Sequence, residues 1–259
     1  PGGVRLSHLL AHLESTGEVV PESAMLELSS LVINAVASLH AWPGGLAHGA
    51  ISPAHVLLTS DGRIMLTDCI FGAGLEVLQR NREYVWKEFG LAMPAAAGLA
   101  RFDQQADVVQ LGSVILAIVL QRPLHAGEYP RGVTDLIVTA TESSAAPGFP
   151  SSPAALRMWL QEALQVHPRV TFRSAVEAQR SFADIKTPSG ARRVGVTALQ
   201  VLLRTTCGGP LNQAPVIVNT PPRPAADPIP QVSKTPTEPA GPLDSILRAF
   251  GNMPGWLLQ

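Results

Sequence analysis

Residue types able to do chemistry concentrate between His48 and Asp68. His48, Ser52 and His55 lie within one short stretch, and Asp68 follows after an apolar segment. A serine beside a histidine raises nucleophilic catalysis, in which an imidazole takes the hydroxyl proton. That chemistry needs an oriented carboxylate and a glycine-flanked turn to expose the hydroxyl. Neither pattern surrounds Ser52. A histidine near an aspartate raises a metal site. Imidazole suits Zn²⁺ or Mn²⁺ better than Mg²⁺, and His55 with Asp68 supplies too few ligands for a proper site. Asp68 reads more simply as a carboxylate satisfied by backbone N–H groups. His8 and His12 stand four apart on one amphipathic stretch, a spacing that can clamp an ion; with no third ligand near them they read as solvated histidines. Cys69 sits between apolar segments and reads as a buried, inert thiol, because a reactive one needs neighbouring positive charge. No metal site is expected.

The elements that must position these residues follow from apolar spacing. Leu6, Leu9, Leu10 and Leu13 predict a helix over residues 4–14. Pro21 and Glu22 open a second helix, with Met25, Leu28, Val32, Val36 and Leu39 on its buried face; Trp42-Pro43-Gly44-Gly45 stops it. Ile51, Val56 and Leu58 predict a short strand, Asp61-Gly62 a two-residue hairpin turn, and Ile64 to Thr67 the returning strand that delivers Asp68. Residues 72–100 lack periodicity and read as a loop with one helical turn. Residues 104–121 form the most apolar helix. Further helices are expected over 151–166, 172–184 and 191–206. Trp42, Trp86 and Trp159 read as core or interface aromatics.

Composition bounds what such a chain can do. The 259 residues hold 46% hydrophobic and 15% charged side chains, enough for a sizeable core. Net charge is −1, without the clustered cations that phosphate backbones require, so no nucleic-acid partner is expected. Cys69 and Cys207 form no CxxC pair, and a reducing, cytoplasmic setting fits them. The longest apolar run, Val114 to Leu120, is too short to cross a bilayer, so no membrane segment is expected. The opening PGGVRLSHLL carries no initiating Met and reads as the cut end of a longer protein. Ten of the 23 prolines fall between Gly208 and Pro242, the composition of a disordered linker. The expected organisation is a domain over 1–185, an additional helix over 186–207, the linker over 208–242, and a short amphipathic segment over 243–259.

Three stretches carry a family resemblance. HGAISPAHVLL, His48 to Leu58, has the outline of the catalytic loop His-Arg-Asp-Leu-Lys-Pro-x-Asn. ADVVQLGSVILAIVLQRPL, Ala106 to Leu124, resembles a central helix that begins Ser-Asp-Val-Trp-Ser-x-Gly and ends Gly-Arg-Pro, with Asp107, Gly112, Arg122 and Pro123 matching. LQEALQVHPRVTFRSAVEA, Leu160 to Ala178, resembles closing helices around Asp-Pro-x-x-Arg. In this order they resemble the C-terminal lobe of the eukaryotic-like Ser/Thr protein kinases of bacteria, over roughly residues 2–184. The implied fold is mainly α, with short β-hairpins and then a Pro-rich disordered tail.

The departures fall on the chemistry. Ala50 stands at the catalytic Asp position, Ser52 at the Lys position and His55 at the metal-binding Asn position. Asp68 keeps the metal–nucleotide position, but Cys69 and Ile70 replace the Phe and Gly after it. A β-branched residue forced to positive φ would be an outlier, so Ile70 is expected to deny the loop its metal-binding shape. Met93-Pro94-Ala95 replaces Ala-Pro-Glu, and Thr171 occupies the place of that Glu's Arg partner, with Arg173 close by. No Gly-rich phosphate loop with a strand Lys is present. Asp107, Gly112 and Arg122 then serve as fold markers, His48 as a packed structural residue. The resemblance implies a catalytically inactive kinase-like module with no cofactor and with protein partners, such as another kinase or signalling protein. The alternative is an atypical kinase or other nucleotide-dependent transferase, which would use ATP and Mg²⁺.

Overall fold

A strand precedes the first helix: β1 (Gly3–Arg5) leads into α1 (Leu6–Thr16), where leucine spacing alone predicts helix from residue 4. The computed structural model describes residues 3–59, 61–95, 98–143, 153–167 and 169–185. All of them fall in the first of the chain's two units, Pro1–Leu211; the second, Asn212–Gln259, lies outside the described residues. The expected helix 191–206, the Pro-rich linker 208–242 and the segment 243–259 therefore also lie outside them.

After α1 come α2 (Glu22–His40), a single 3₁₀ turn at Pro53–His55, β2 (Val56–Thr59) and β3 (Ile64–Leu66). The three strands form an antiparallel sheet in the order β1-β2-β3, with Val4 opposite Leu58 and Leu57 opposite Met65. The expected hairpin is thus one half of a three-stranded sheet. Its turn holds three residues instead of two. Thr59 N–H donates to the Arg63 carbonyl at 2.9 Å, Gly62 N–H donates back to the Thr59 carbonyl at 2.9 Å, and Gly62 takes φ 81°, a left-handed conformation open to glycine.

The stretch 72–100, expected as a loop with one helical turn, holds more helix than that. The helices are α3 (Phe71–Val77) and α4 (Arg82–Phe89). Two glycines hide α3. The ends of α4 are locally encoded: Asn81 caps it by accepting the Tyr84 N–H at 2.9 Å, and Gly90 ends it at φ 64°. Helix α5 (Gln104–Leu120) is capped by Asp103, which accepts the Gln105 and Ala106 N–H groups at 3.0 Å each. Every residue from Ala106 to Ile118 is buried. Each large aliphatic side chain enclosed this way contributes about 1.5–3 kcal/mol, so α5 is the axis of the core.

Around that axis pack α2, α6 (Val133–Ser143), α7 (Pro153–Ala163) and α8 (Ala175–Ala183). Helix α6 has no counterpart among the sequence expectations. Its Val133, Ile137 and Ala140 are spaced for one face, but Thr134, Thr139 and Thr141 weaken its propensity, and packing decides. Gly112 lets α5 and α7 meet: a Cβ there would lie 3.0 Å from Ala163 Cβ and from Leu164 Cγ. At the end of α5, Arg122 grips Glu128 with two hydrogen bonds of 2.7 and 2.9 Å. Helix α2 is the one described helix long and apolar enough to span a bilayer, and most of it is buried in this core. Trp86 and Trp159 are buried, and Trp42 is half-buried.

Candidate functional site

The loop from His48 to Ile51 is held from beneath by α5. Asp107 sits in the first turn of that helix with its carboxylate fully enclosed. One carboxylate oxygen accepts the Gly49 N–H at 2.6 Å. The other accepts the His48 N–H at 2.6 Å and the His40 Nε2–H at 2.9 Å. His40 uses its second nitrogen, Nδ1, to accept the Ala175 N–H at 3.0 Å, and these two partners assign its tautomer. The last residue of α2 therefore ties the N-termini of α5 and α8 together. A buried carboxylate is tolerable only with such donors, and hydrogen bonds to a charged group contribute about 1.5–3 kcal/mol each.

One turn further along α5, Gln110 completes the clamp. Its amide oxygen accepts the Ile51 N–H at 2.7 Å, and its NH₂ donates to the Gly49 carbonyl at 3.2 Å. The same NH₂ reaches Met93 Sδ at 3.5 Å, and the Met93 carbonyl accepts the Tyr129 hydroxyl at 2.6 Å. Sequence reasoning singled out neither His40 nor Gln110. The available signal was a polar residue on an otherwise apolar helical face: Gln110 lies three residues after Asp107, and His40 one residue after Leu39.

The loop's own side chains are arranged by this clamp. Ala50 is fully buried. Its carbonyl is bonded to His55 Nδ1 at 2.6 Å, and its N–H donates to His48 Nδ1 at 3.2 Å. His48 Nε2 is buried without a hydrogen-bond partner among the described residues. Burial pushes the His48 imidazole below the ordinary histidine value, against the pull of the Asp107 charge. Ser52 Oγ lies 3.3 Å from His55 Nδ1, the nitrogen already committed to Ala50, so no activated serine results. Arg5 braces the loop from the sheet edge by donating to the Ala54 carbonyl.

Asp68 lies on the outer side. Its carboxylate is half-exposed and accepts the Thr67 hydroxyl at 2.9 Å; among the described residues no backbone N–H reaches it, contrary to expectation. His55 Nε2 approaches it to 4.0 Å, beyond hydrogen-bond reach. Positive φ falls on Asp68, at 64°, which aspartate tolerates. Ile70 takes ordinary helical angles (φ −88°, ψ −16°) as the cap of α3, so its β-branch imposes no outlier. Among the described residues no three His, Cys, Asp or Glu groups gather to hold a metal; His8 and His12 are exposed, and His12 lies 3.9 Å from Glu18. Cys69 is part-buried, and burial raises its thiol above the ordinary value, which suppresses the thiolate.

Helix α3 lies directly on the loop. A Cβ on Gly72 would come within 2.5 Å of the Gly49 Cα, and Gly49 itself takes φ 73°. Two glycines thus permit backbone-to-backbone contact at this crossing. Above them runs an aromatic series: His55 to Phe71 at 5.7 Å between ring centroids, Phe71 to Phe89 at 5.8 Å, and Phe89 to Tyr84 at 6.2 Å. A largely apolar groove of about 540 Å³ opens beside Asp68, walled by Ile70, Phe71, Leu75 and Leu78. A second cavity of about 320 Å³ lies beside Ser52 and Pro53, under Trp86 and Lys87. Met93 is held by Gln110 and Tyr129; Thr171 accepts from Gln165 at 3.2 Å, and Arg173 engages Glu177 through its backbone N–H at 2.7 Å.

No protein-family model matches this sequence, and no curated protein matches it. Among solved structures the chain is similar to a Toxoplasma gondii specific rhoptry antigen kinase domain, at 19% identity and a TM-score of 0.43. That match covers 74% of this chain and 51% of the other, so the chain spans about half the length of that domain.

Proposed function

We propose that this chain is a kinase-like C-terminal lobe, of the bacterial Ser/Thr type, that has lost phosphoryl transfer and acts through protein contacts. The order of elements supports the reading: two helices, a clamped loop, a hairpin, two short helices, one buried helix and three more around it. The observation that carries it is Ala50. It occupies the middle of a loop held by Asp107 and Gln110, at the position where a carboxylate would accept or orient a substrate hydroxyl. A methyl group does neither. Removing a positioned base costs about 10²–10⁴ in rate. His55, at the metal-ligand position, has one ring nitrogen tied to Ala50 and no carboxylate within bonding reach.

The contact surface we favour is the outer face of α3, where Ile70, Phe71 and Leu78 border the groove and Val77 is largely exposed. The partner class is a cytoplasmic protein such as a kinase or another signalling component. Incubation of the chain with labelled ATP and Mg²⁺ or Mn²⁺ is expected to transfer no phosphate to itself or to a generic substrate. Transfer abolished by Asp68→Ala would overturn the reading.

One observation favours a second reading, that of a nucleotide-dependent transferase. The Asp68 carboxylate is half-exposed at the rim of the groove, free to meet a metal-bound nucleotide. A thermal shift of several degrees with ATP and a divalent cation, lost in Asp68→Ala, would select it.

A further inference from the structure

We propose that the pocket between the start of α4 and the segment entering α5 binds a phosphate-type oxyanion. It encloses about 310 Å³, and its walls include Arg82, Arg101, Gln105, Asp103, Met93 and Leu99. The backbone builds it. The Ala100 N–H donates to the Arg80 carbonyl at 2.9 Å, and Asn81 pairs with Leu99 as a single antiparallel bridge. These two links set the segments edge to edge, and Arg82 from one segment and Arg101 from the other both line the pocket.

Among the described residues, neither arginine makes an ion pair or a side-chain hydrogen bond. Arg80, next in the chain, is engaged over the Tyr84 ring at 5.1 Å. The one carboxylate on the wall, Asp103, already accepts two backbone N–H groups as the cap of α5. Arg82 is half-buried, and its charge reaches the Tyr129 hydroxyl, the group that donates to Met93 on the pocket wall. Burial raises that phenol, and Arg82 pulls it back down.

A guanidinium partly withdrawn from water and without an anion is costly. Half-buried Arg82 is in that state, and with exposed Arg101 lining the same pocket the two cations call for a ligand with several acceptor oxygens and more than one negative charge. Guanidinium forks match a phosphate in a way a compact ammonium does not. The Gln105 amide adds a neutral donor. The volume admits a phosphate with a few attached atoms. The groove beside Asp68 plays no part, so the proposal stands independently of the kinase reading.

The test uses the full chain, titrated with inorganic phosphate at constant ionic strength against chloride, by calorimetry and thermal shift. Saturable binding is expected, weakened at least tenfold in Arg82→Gln and in Arg101→Gln. Arg63→Gln, whose arginine pairs with Asp61 on the hairpin, is expected to bind as the wild type does. Should Arg82→Gln fail to fold, exposed Arg101 still carries the test. Phosphate acting no differently from chloride, or Arg101→Gln binding undiminished, would overturn the proposal. A phosphoserine peptide titrated in parallel identifies the source. Tenfold tighter binding than phosphate assigns a phosphorylated protein segment, and equal binding assigns a small free anion.

Discussion

The inner and outer sides of the His48–Asp68 region are built on opposite terms. On the inner side Asp107, Gln110 and His40 are buried, and their polar atoms meet backbone or side-chain partners at 2.6–3.2 Å. On the outer side Asp68 is half-exposed, the His55 imidazole stands 4.0 Å away, and apolar side chains line the groove beside it. Water can replace what the outer carboxylate lacks, but it cannot replace what the inner one has. The scaffold is therefore far less tolerant of change than the face where chemistry would occur.

The contrast breaks most visibly at Asp107. Asp107→Ala leaves three buried donors without an acceptor, at about 1–3 kcal/mol each, and removal of one partner of a buried charged network typically costs about 3–5 kcal/mol. At roughly 2–4 °C per kcal/mol the melting temperature is expected to fall by about 10 °C. An unchanged Tm would show that the clamp contributes nothing.

Gly72→Val probes the seam between the two sides. Its Cβ would meet backbone at 2.5 Å, where no rotamer relieves the clash. Overpacking of this kind costs about 1–3 kcal/mol. Hydrogen exchange is expected to speed up in α3 and remain slow in α5. Uniform acceleration through both helices would mean that the seam is not separable from the core.

Acid acts on the inner side through His48. Burial lowers its folded-state value below 6.5, so below that pH the unfolded chain binds more protons than the folded one. Stability is expected to fall as pH drops through about 6.5 toward the lowered value. Glu22 has the opposite slope, because burial lifts it to about 8 and its neutral form favours the fold as pH decreases. A Glu22→Gln background isolates the histidine contribution. In that background, adding His48→Asn is expected to flatten Tm against pH between 5 and 7, and an undiminished slope would locate the acid sensitivity elsewhere. The smallest effect belongs to Asp68→Asn, expected within about 0.5 kcal/mol of wild type, as for exposed positions generally. A loss comparable to that of Asp107→Ala would erase the distinction between the two sides.

Much of the scaffold was readable in the residues. Apolar spacing gave α2 and α5, because these helices bury a face whose period is written in the chain, and short apolar runs on either side of Asp61-Gly62 gave β2 and β3. That position 50 carries Ala is also a sequence fact. Helices α3 and α6 were not readable: glycines and threonines mask their propensity, and only packing against distant residues favours them. The clamp was half legible. Asp107 announced a buried carboxylate, but its third partner, His40, lies 67 positions away, and no local rule joins them. The close approach of Gly49 and Gly72, the left-handed Asp68 and the pairing of residues 80–81 with 99–100 were likewise settled by tertiary structure. Contacts distant in sequence depend on where whole elements dock, and docking answers to the summed burial of the core, which no single stretch of the chain contains.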